Sequence, residues 1–457
     1  PRQSLPACAL AVLALAVLDS CSGSSSDPAA PAPPPPDTGS NSGPEFLGAR
    51  SAVTAGGERI ALTWEAARDD ADPAEARVYD VYLSSTAGGF DFLSAPAATS
   101  APGATVITLS SADSSLIASG TTVHAVVRAR DAMGARDDNV VEVAAQPMPT
   151  GAIAYVTPTG SGAPAIGDPG RPFATIQAAV AAVPSSGGVV VVGAGTYGEL
   201  IALTDAGSAG STIAIHGGFD AAAITGSASP QALLDAYRPE QNVTRVDGGG
   251  LVPSAPQIGL IDVRNGGRVT MISGLVVDQD DLETGIALVD ARACVQACEF
   301  VVGAGGVAPV SVRASTAGGD DLEVDLSGNR GTRLQTVFAG DGSFARLTLC
   351  GNRFTATVQS VVDAEPTIPD GVDAVYRFDS NEFRNVQGHA VDLDFAVETV
   401  SGPGTTSIEV CGNTVTAVDG NAFRMTDFGE HGSWLSFLSR DNFFAAGSND
   451  CYLQRLL

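Results

Sequence analysis

Acidic residues in the C-terminal part of the chain are spaced so that they could act together in one reaction or one binding event. Asp363 and Glu365 lie two positions apart, and Asp392 and Asp394 repeat that spacing in a later segment. Arg424 follows in a third segment. Carboxylates bind Ca²⁺, and a pair of them can supply the acid and base of glycosidic cleavage. These residues therefore form a candidate catalytic or binding patch.

A repeat in the same part of the chain decides whether these residues meet. Asn recurs at intervals of 23, 29, 32 and 29 residues, with apolar residues three positions before and two positions after most copies. Intervals of this size are typical of one three-strand coil of a β-solenoid. We expect each Asn to adopt the left-handed conformation of a tight corner and to hydrogen-bond along the column. The corner ladder consists of Asn329, Asn352, Asn381, Asn413 and Asn442.

Aligning the coils on their corner Asn predicts how the candidate patch is arranged. Asp363, Asp392 and Arg424 fall in one column, and Glu365 and Asp394 fall in the column two residues further on. Alternating apolar neighbours should point inward, so the carboxylates should point outward. Neighbouring coils are about 4.8 Å apart. The patch is therefore either a catalytic site, with Ca²⁺ as a candidate cofactor, or a solvated, glycan-contacting face.

A short amphipathic helix should cover the open end of this solenoid. Phe173, Ile176 and Val180 fall on one helical face, Pro172 suits the first turn, and Pro184 ends the helix. A valine-rich strand follows directly. Without such a cover, the first strand would expose unpaired backbone groups.

This helix-then-strand opening resembles the N-terminal cap and first rungs of pectin-lyase-like proteins. The resemblance implies an all-β fold, a right-handed parallel β-helix with three-strand coils over residues 152–457. Enzymes of that family carry acidic, Ca²⁺ and Arg sites on an outward sheet. The resemblance therefore implies that the chain is a polysaccharide lyase or glycoside hydrolase if the candidate patch is catalytic.

Residues 45–148 have the pattern of a β-sandwich. Ile60, Leu62 and Trp64 alternate with other residues, as strands with one buried face do. The segments 124–134 and 140–143 resemble the last two strands of bacterial fibronectin type III domains, and Trp64 and Tyr79-Asp80-Val81-Tyr82 fit the second and third strands of that family. The resemblance implies a spacer or binding module ahead of the β-helix.

The N-terminal segment indicates export. The apolar run over 7–18 is too short for a transmembrane helix and has the form of a signal-peptide core. It ends in Leu18-Asp19-Ser20-Cys21, which resembles a bacterial lipobox. The resemblance implies a signal peptide over 1–20 and lipidation of Cys21; an ordinary secretory signal is the alternative. A Ser- and Pro-rich stretch over 21–44 is then a disordered tether.

Charge excludes one class of partner. The chain has 51 acidic and 24 basic residues, a net charge of -27, and no Lys. Such a surface repels nucleic acid and anionic lipid, so we expect contact with a membrane only through the N-terminal lipid anchor. The four His residues are scattered, and no hydrolase, phosphate-binding or dinucleotide-binding motif is present.

Two functions are compatible with these observations. The first is a lipoprotein of the outer membrane or cell surface that presents its β-helix for adhesion or glycan binding, without catalysis. The second is a polysaccharide lyase or glycoside hydrolase of the pectin-lyase-like fold. The expected partner in both is a polysaccharide or another cell-surface glycan.

Lipidation can be tested directly. If Cys21 is acylated, growth with a palmitate analogue should label the wild-type protein and leave Cys21→Ala unlabelled. Equal labelling of both proteins would contradict the anchor.

Overall fold

The computed structural model describes residues 42–70, 72–204, 210–226, 228–264, 268–303, 310–317, 321–367, 373–395, 405–426, 434–445 and 451–453. The expected signal peptide, Cys21 and nearly all of the tether lie outside these residues. No helix among the described residues is long and apolar enough to cross a membrane.

Seven antiparallel strands form two sheets at the N-terminal end. The sheet orders are β1-β2-β5 and β4-β3-β6-β7, and between them Trp64 packs on Tyr79 with ring centroids 5.1 Å apart. The strands are β1 (Ala49–Val53), β2 (Arg59–Trp64), β3 (Val78–Ser84), β4 (Ala98–Thr99), β5 (Val106–Ser110), β6 (Val123–Arg130) and β7 (Glu142–Ala145). We call this unit the sandwich.

From residue 153 onward the strands pair in parallel and follow one another around three sheets, which is a parallel β-helix. The first sheet contains β8 (Ile153–Val156), β9 (Gly188–Gly193), β12 (Thr212–Phe219), β15 (Val269–Ser273), β18 (Arg292–Gln296), β21 (Leu322–Ser327), β26 (Ala374–Asp379), β29 (Thr405–Cys411) and β32 (Trp434–Arg440).

The second sheet contains β10 (Gly195–Tyr197), β13 (Thr244–Asp247), β16 (Leu275–Asp278), β19 (Glu299–Val301), β22 (Arg330–Thr332), β24 (Arg353–Thr355), β27 (Glu382–Val386), β30 (Thr414–Val418) and β33 (Phe443–Ala445). The third contains β11 (Ile201–Leu203), β14 (Ile261–Val263), β17 (Thr284–Val289), β20 (Val310–Ser315), β25 (Val362–Thr367), β28 (Val391–Asp394), β31 (Phe423–Thr426) and β34 (Cys451–Leu453). A long strand, β23 (Thr336–Cys350), runs from the third sheet into the first.

Apolar side chains from all three sheets stack in the interior of the β-helix. Leu349, Phe378 and Val410 are each at most 4% exposed and come from successive coils of the first sheet. Phe354 and Phe383 stack on the second sheet with ring centroids 6.3 Å apart. Each coil therefore buries its apolar face against the coils before and after it.

A helix covers the N-terminal end, but it begins later than the sequence suggests. α1 spans Ile176–Ala182, and its N-cap Thr175 accepts a hydrogen bond from the backbone N–H of Ala178. Placing Pro172 in the first turn was wrong. Phe173 is held extended because its N–H donates to the carbonyl of Tyr155 at 2.7 Å. Two short helices, α2 (Ala221–Thr225) and α3 (Pro230–Asp235), lie between β12 and β13.

The corner Asn side chains form a continuous hydrogen-bonded ladder between the first and second sheets. The Oδ1 of Asn381 accepts from both the backbone N–H and the Nδ2 of Asn352, at 3.0 Å each. Its Nδ2 donates to the carbonyl of Leu349 and to the Oδ1 of Asn413. Equivalent bonds join Asn329 to Asn352 and Asn413 to Asn442.

The expectation that these Asn residues adopt the left-handed conformation was wrong. The residue before each Asn has the positive φ, for example 62° at Gly351, 54° at Ser380 and 63° at Gly412. The preceding residue therefore adopts the left-handed conformation in place of the Asn. Its amide is then free to point along the column and bind the adjacent coils.

The sandwich packs directly against the β-helix, so the expectation of one buried face per strand does not hold for β2. Leu62 belongs to the interior of the sandwich, whereas its neighbour Ala61 packs in a separate apolar cluster that also contains Ile153, Leu233 and Met271 of the β-helix. Both Ala61 and Leu62 are fully buried. The first sheet serves as the docking surface for the sandwich.

Polar contacts fix this docking. Gln296 of β18 accepts a hydrogen bond from the N–H of Ala52 at 3.1 Å and donates one to the carbonyl of Ala144 at 3.2 Å, so one side chain joins β1 and β7. Arg50 donates to the carbonyl of Gly328 at 3.2 Å. Arg353 of the second sheet pairs with Glu65 at 3.0 Å. The sandwich therefore covers the first sheet and the adjacent corner.

Removal of one ladder amide should lower the free energy of unfolding. Asn381→Ala leaves the buried N–H of Asn352 and the carbonyl of Leu349 without their present partners, and we expect a loss of about 2–4 kcal/mol in the free energy of unfolding. Urea denaturation measures it. Gln387→Ala, an exposed change on the same coil, should cost under about 0.5 kcal/mol. Similar losses in both variants would contradict the ladder's role.

Candidate functional site

The third sheet places the candidate residues in two neighbouring columns. Asp363 of β25 pairs in register with Asp392 of β28, and Asp392 pairs with Arg424 of β31. In the second column Asp394 pairs with Thr426, whose hydroxyl donates to the Asp394 carboxylate at 2.7 Å. Glu365 of β25 extends that column. Together these residues make a polar face, which we call the acidic columns.

The acidic columns face outward because the residues that alternate with them on the strand are apolar and point inward. Val391, Leu393 and Phe395 are each at most 2% exposed and point into the β-helix. Asp392 therefore lies on the outer side, as does Asp394. The first sheet, not the third, carries the sandwich, so these columns lie on a different side of the coils.

The members of the acidic columns differ in exposure. Asp363 and Glu365 are exposed and Asp394 is half-buried. Asp392 is only 9% exposed. It points outward, but neighbouring side chains cover it.

Arg424 is the closest of these neighbours. Its Nε lies 2.8 Å from an Asp392 oxygen, yet the N–H does not point at that oxygen, and neither atom has a directed hydrogen bond. The contact is therefore an ion pair in which both atoms keep hydrogen-bonding capacity. The side chains are 33% and 12% exposed, so solvent screens the pair only in part.

Burial raises the pKa of Asp392 above its usual value. The positive charge of Arg424 and the ring of His389 oppose this effect, and the Asp363 carboxylate adds to it. Desolvation is the largest of these causes, because it disfavours the charged form. Burial therefore favours the protonated form of this carboxyl group.

His389 is a neighbour of this pair that sequence reasoning missed. Its Nδ1 accepts a hydrogen bond from the backbone N–H of Asn421 at 2.8 Å, so the proton of the neutral ring sits on Nε2. Nε2 lies 3.4 Å from the Nη1 of Arg424. The four His residues are far apart in the sequence, so His389 was not considered as a site residue. Its position three residues before Asp392, at the turn into β28, could have indicated that the two side chains are neighbours.

Asp341 is a second residue that the coil alignment missed. It pairs in register with Glu365 and so extends the second column by one coil. It was overlooked because β23 runs through two sheets without a turn, so this coil is shorter than the others. Arg313, which is exposed on β20, stands two coils before Asp363 in the first column.

Metal binding has no ready ligand set in this part of the chain. Among the described residues, no group of three or more His, Cys, Asp or Glu side chains converges in a way that could hold a metal ion. Asp392 is already paired with Arg424. Ca²⁺ binding at the acidic columns therefore stays a prediction.

No protein-family model matches the chain, and no curated protein matches it. Among solved structures, the chain is similar to a family 28 exopolygalacturonase from Yersinia enterocolitica, with 12% sequence identity and a TM-score of 0.31. That similarity covers 90% of this chain and 98% of the other. The parallel β-helix rests on the strand pairing of this chain itself.

Loss of Arg424 should make stability depend more strongly on pH. Because the pKa of Asp392 is raised in the folded state, its contribution to stability falls as pH rises from the unfolded value of 3.8 through the folded value. Arg424→Ala should raise that pKa further. We expect a loss of about 1–2 kcal/mol at pH 7 and a smaller loss at pH 3, where the carboxyl is protonated in both states.

Urea denaturation at both pH values measures this difference. Arg313→Ala is the matched control, since it removes an exposed Arg from the same column and should change stability equally at both pH values. A pH-independent loss in Arg424→Ala would show that the Asp392 charge is not its cause.

Proposed function

We propose that this chain is a glycan-binding protein whose acidic columns on the third sheet contact the glycan. The observation that carries the proposal is the repetition of outward carboxylates, at Asp341, Asp363, Glu365 and Asp394, on successive coils. Coils follow one another at about 4.8 Å. An extended polymer that lies along the β-helix can therefore meet equivalent acceptors repeatedly.

The chemistry of these groups selects the kind of glycan. Ionised carboxylates accept strong hydrogen bonds from hydroxyl and ammonium groups. They repel other anions, and the net charge of -27 reinforces that repulsion. A neutral or amine-bearing polysaccharide is therefore a better partner than a polyuronate.

The proposal includes the cellular address. The apolar run and the lipobox-like segment support an exported lipoprotein of the outer membrane or cell surface. The sandwich, with sheets of three and four antiparallel strands, supports a fibronectin type III-like assignment over 45–148. Because one face of the sandwich is docked on the first sheet, the sandwich does not act as a flexible spacer. The tether over 21–44 then separates the folded part of the chain from the membrane.

Cleavage of a glycosidic bond is the second candidate, and the raised pKa of Asp392 favours it. A carboxyl group that keeps its proton can act as the general acid, while Asp363 on the neighbouring strand or Asp394 on the same strand acts as base or nucleophile. Arg424 and His389 would then orient Asp392. This reading makes the chain a polysaccharide lyase or glycoside hydrolase.

A double substitution separates binding from stability. Asp363→Asn with Glu365→Gln removes two exposed charges, whereas Asp392 is covered and its replacement would also change the melting temperature. We expect the double variant to lose binding on an array of neutral and amine-bearing glycans by about tenfold or more, with an unchanged melting temperature.

The matched control is Glu58→Gln with Glu75→Gln, which removes two exposed charges from the sandwich. It should bind as the wild type does. Equal loss in both double variants would mean that overall charge, and not the acidic columns, controls binding. A depolymerisation screen of the wild type and Asp392→Asn decides the second candidate, since an enzyme should release oligosaccharides only with Asp392 intact.

A further inference from the structure

A pocket of about 230 Å³ lies where the sandwich meets the second sheet of the β-helix. The sandwich and the segment that leads into it contribute Glu45, Glu65 and Arg68, and the β-helix contributes residues of three successive coils, among them Arg353 and Arg384. We call it the junction pocket. Pockets at the junction of two structural units are common ligand sites.

The charges that line the junction pocket balance. Three of its side chains are carboxylates and three are guanidinium groups, at Glu45, Glu65, Glu382, Arg68, Arg353 and Arg384. Four of them form a chain of ion pairs, in which Arg353 pairs with Glu65 at 3.0 Å and with Glu382, and Glu382 also pairs with Arg384. An ion of either sign would therefore meet as many like charges as opposite charges, so the lining favours an uncharged ligand.

Hydrogen-bond donors and acceptors both remain available in this lining. Glu45 and Arg68 are exposed and form no ion pair with a described residue. Their backbones exchange two hydrogen bonds of 2.8 Å, which holds the two residues side by side. The side chains of Arg384 and Glu65 are 48% and 39% exposed, so solvent reaches their remaining N–H groups and lone pairs.

A molecule with several hydroxyl groups matches these features. A hydroxyl both donates and accepts, so neighbouring hydroxyls can bond to a guanidinium group and to a carboxylate at the same time. The apolar part of the lining is small and includes Leu47 and Ala66. The volume is below the range of about 300–1,000 Å³ that drug-sized ligands occupy. One ring with several hydroxyls is therefore the expected size.

We propose that the junction pocket binds one uncharged sugar unit. Its hydroxyls accept from Arg68 and Arg384 and donate to the carboxylates of Glu45 and Glu65, while its C–H surface packs against Ala66. Because the sugar touches both the sandwich and the β-helix, its binding stabilises their docking. The pocket lies on the second sheet, so this site does not depend on glycan binding by the acidic columns on the third sheet.

Saturation-transfer NMR with the full chain and the methyl glycosides of glucose, galactose and mannose tests this proposal. We expect saturation transfer to at least one glycoside and none to L-alanine, a small zwitterion. Ala66→Trp, an exposed change that fills the pocket, should abolish the transfer, whereas Ala112→Trp, an exposed change elsewhere on the sandwich, should preserve it. Arg384→Ala should weaken binding about tenfold, the factor expected for the loss of charge-assisted hydrogen bonds.

Both pocket variants alter exposed side chains, so we expect their melting temperatures to stay close to that of the wild type. The variant Asp363→Asn with Glu365→Gln should bind the glycosides as the wild type does, which separates this site from the acidic columns. The inference is overturned if no glycoside binds, if L-alanine binds instead, if Ala66→Trp and Arg384→Ala both bind as the wild type does, or if only the acidic-column variant loses binding.

Discussion

The amide-to-amide hydrogen bonds of the corner Asn residues hold the coil register on which the rest of the structure depends. The first four of these amides bond to the coils on both sides and are at most 3% exposed, at Asn329, Asn352, Asn381 and Asn413. A shift of one residue would break these bonds and turn every apolar side chain of that strand outward. The same register sets which residues become neighbours on the third sheet.

The first and third sheets of the β-helix have different roles. The first sheet is a docking surface, with Gln296 joining two strands of the sandwich and Ala61 buried against it. The third sheet keeps an outward polar face, where Asp363 and Glu365 remain exposed. The sandwich therefore covers a different side of the β-helix from the acidic columns. The sandwich is therefore a structural part of the β-helix rather than a separate module on a linker.

Much of this architecture could be predicted from periodic features of the sequence. The intervals between Asn352, Asn381 and Asn413 lead to the same coil register that the structure has, because each interval equals one turn of the β-helix. Pattern alone could not show that Ala61 is buried, since a small apolar residue between two larger ones fits either an exposed or a docked face. The turn residue was misassigned because Gly351 and Asn352 are adjacent and both tolerate positive φ.

The sequence predicts which residues of the candidate site lie side by side on neighbouring strands. It does not predict which other side chains surround them. Alignment places Asp392 beside Arg424, but it does not place His389, whose ring lies 3.4 Å from Arg424. The shorter coil around β23 likewise hid Asp341, because it breaks the interval that the alignment used. The spacing of residues along strands does not predict side-chain contacts that are made from turns of variable length.

The central claim is that coil stacking places Asp363 and Asp392 side by side on one outward face. Cross-linking by an engineered disulfide measures this directly, since paired residues on neighbouring strands lie within the distance that a disulfide spans. Mild oxidation of Asp363→Cys with Asp392→Cys, followed by mass spectrometry, should give a cross-linked protein that stays folded, and Asp363→Cys with Leu393→Cys should give none. Cross-linking of the second pair instead of the first would contradict the register.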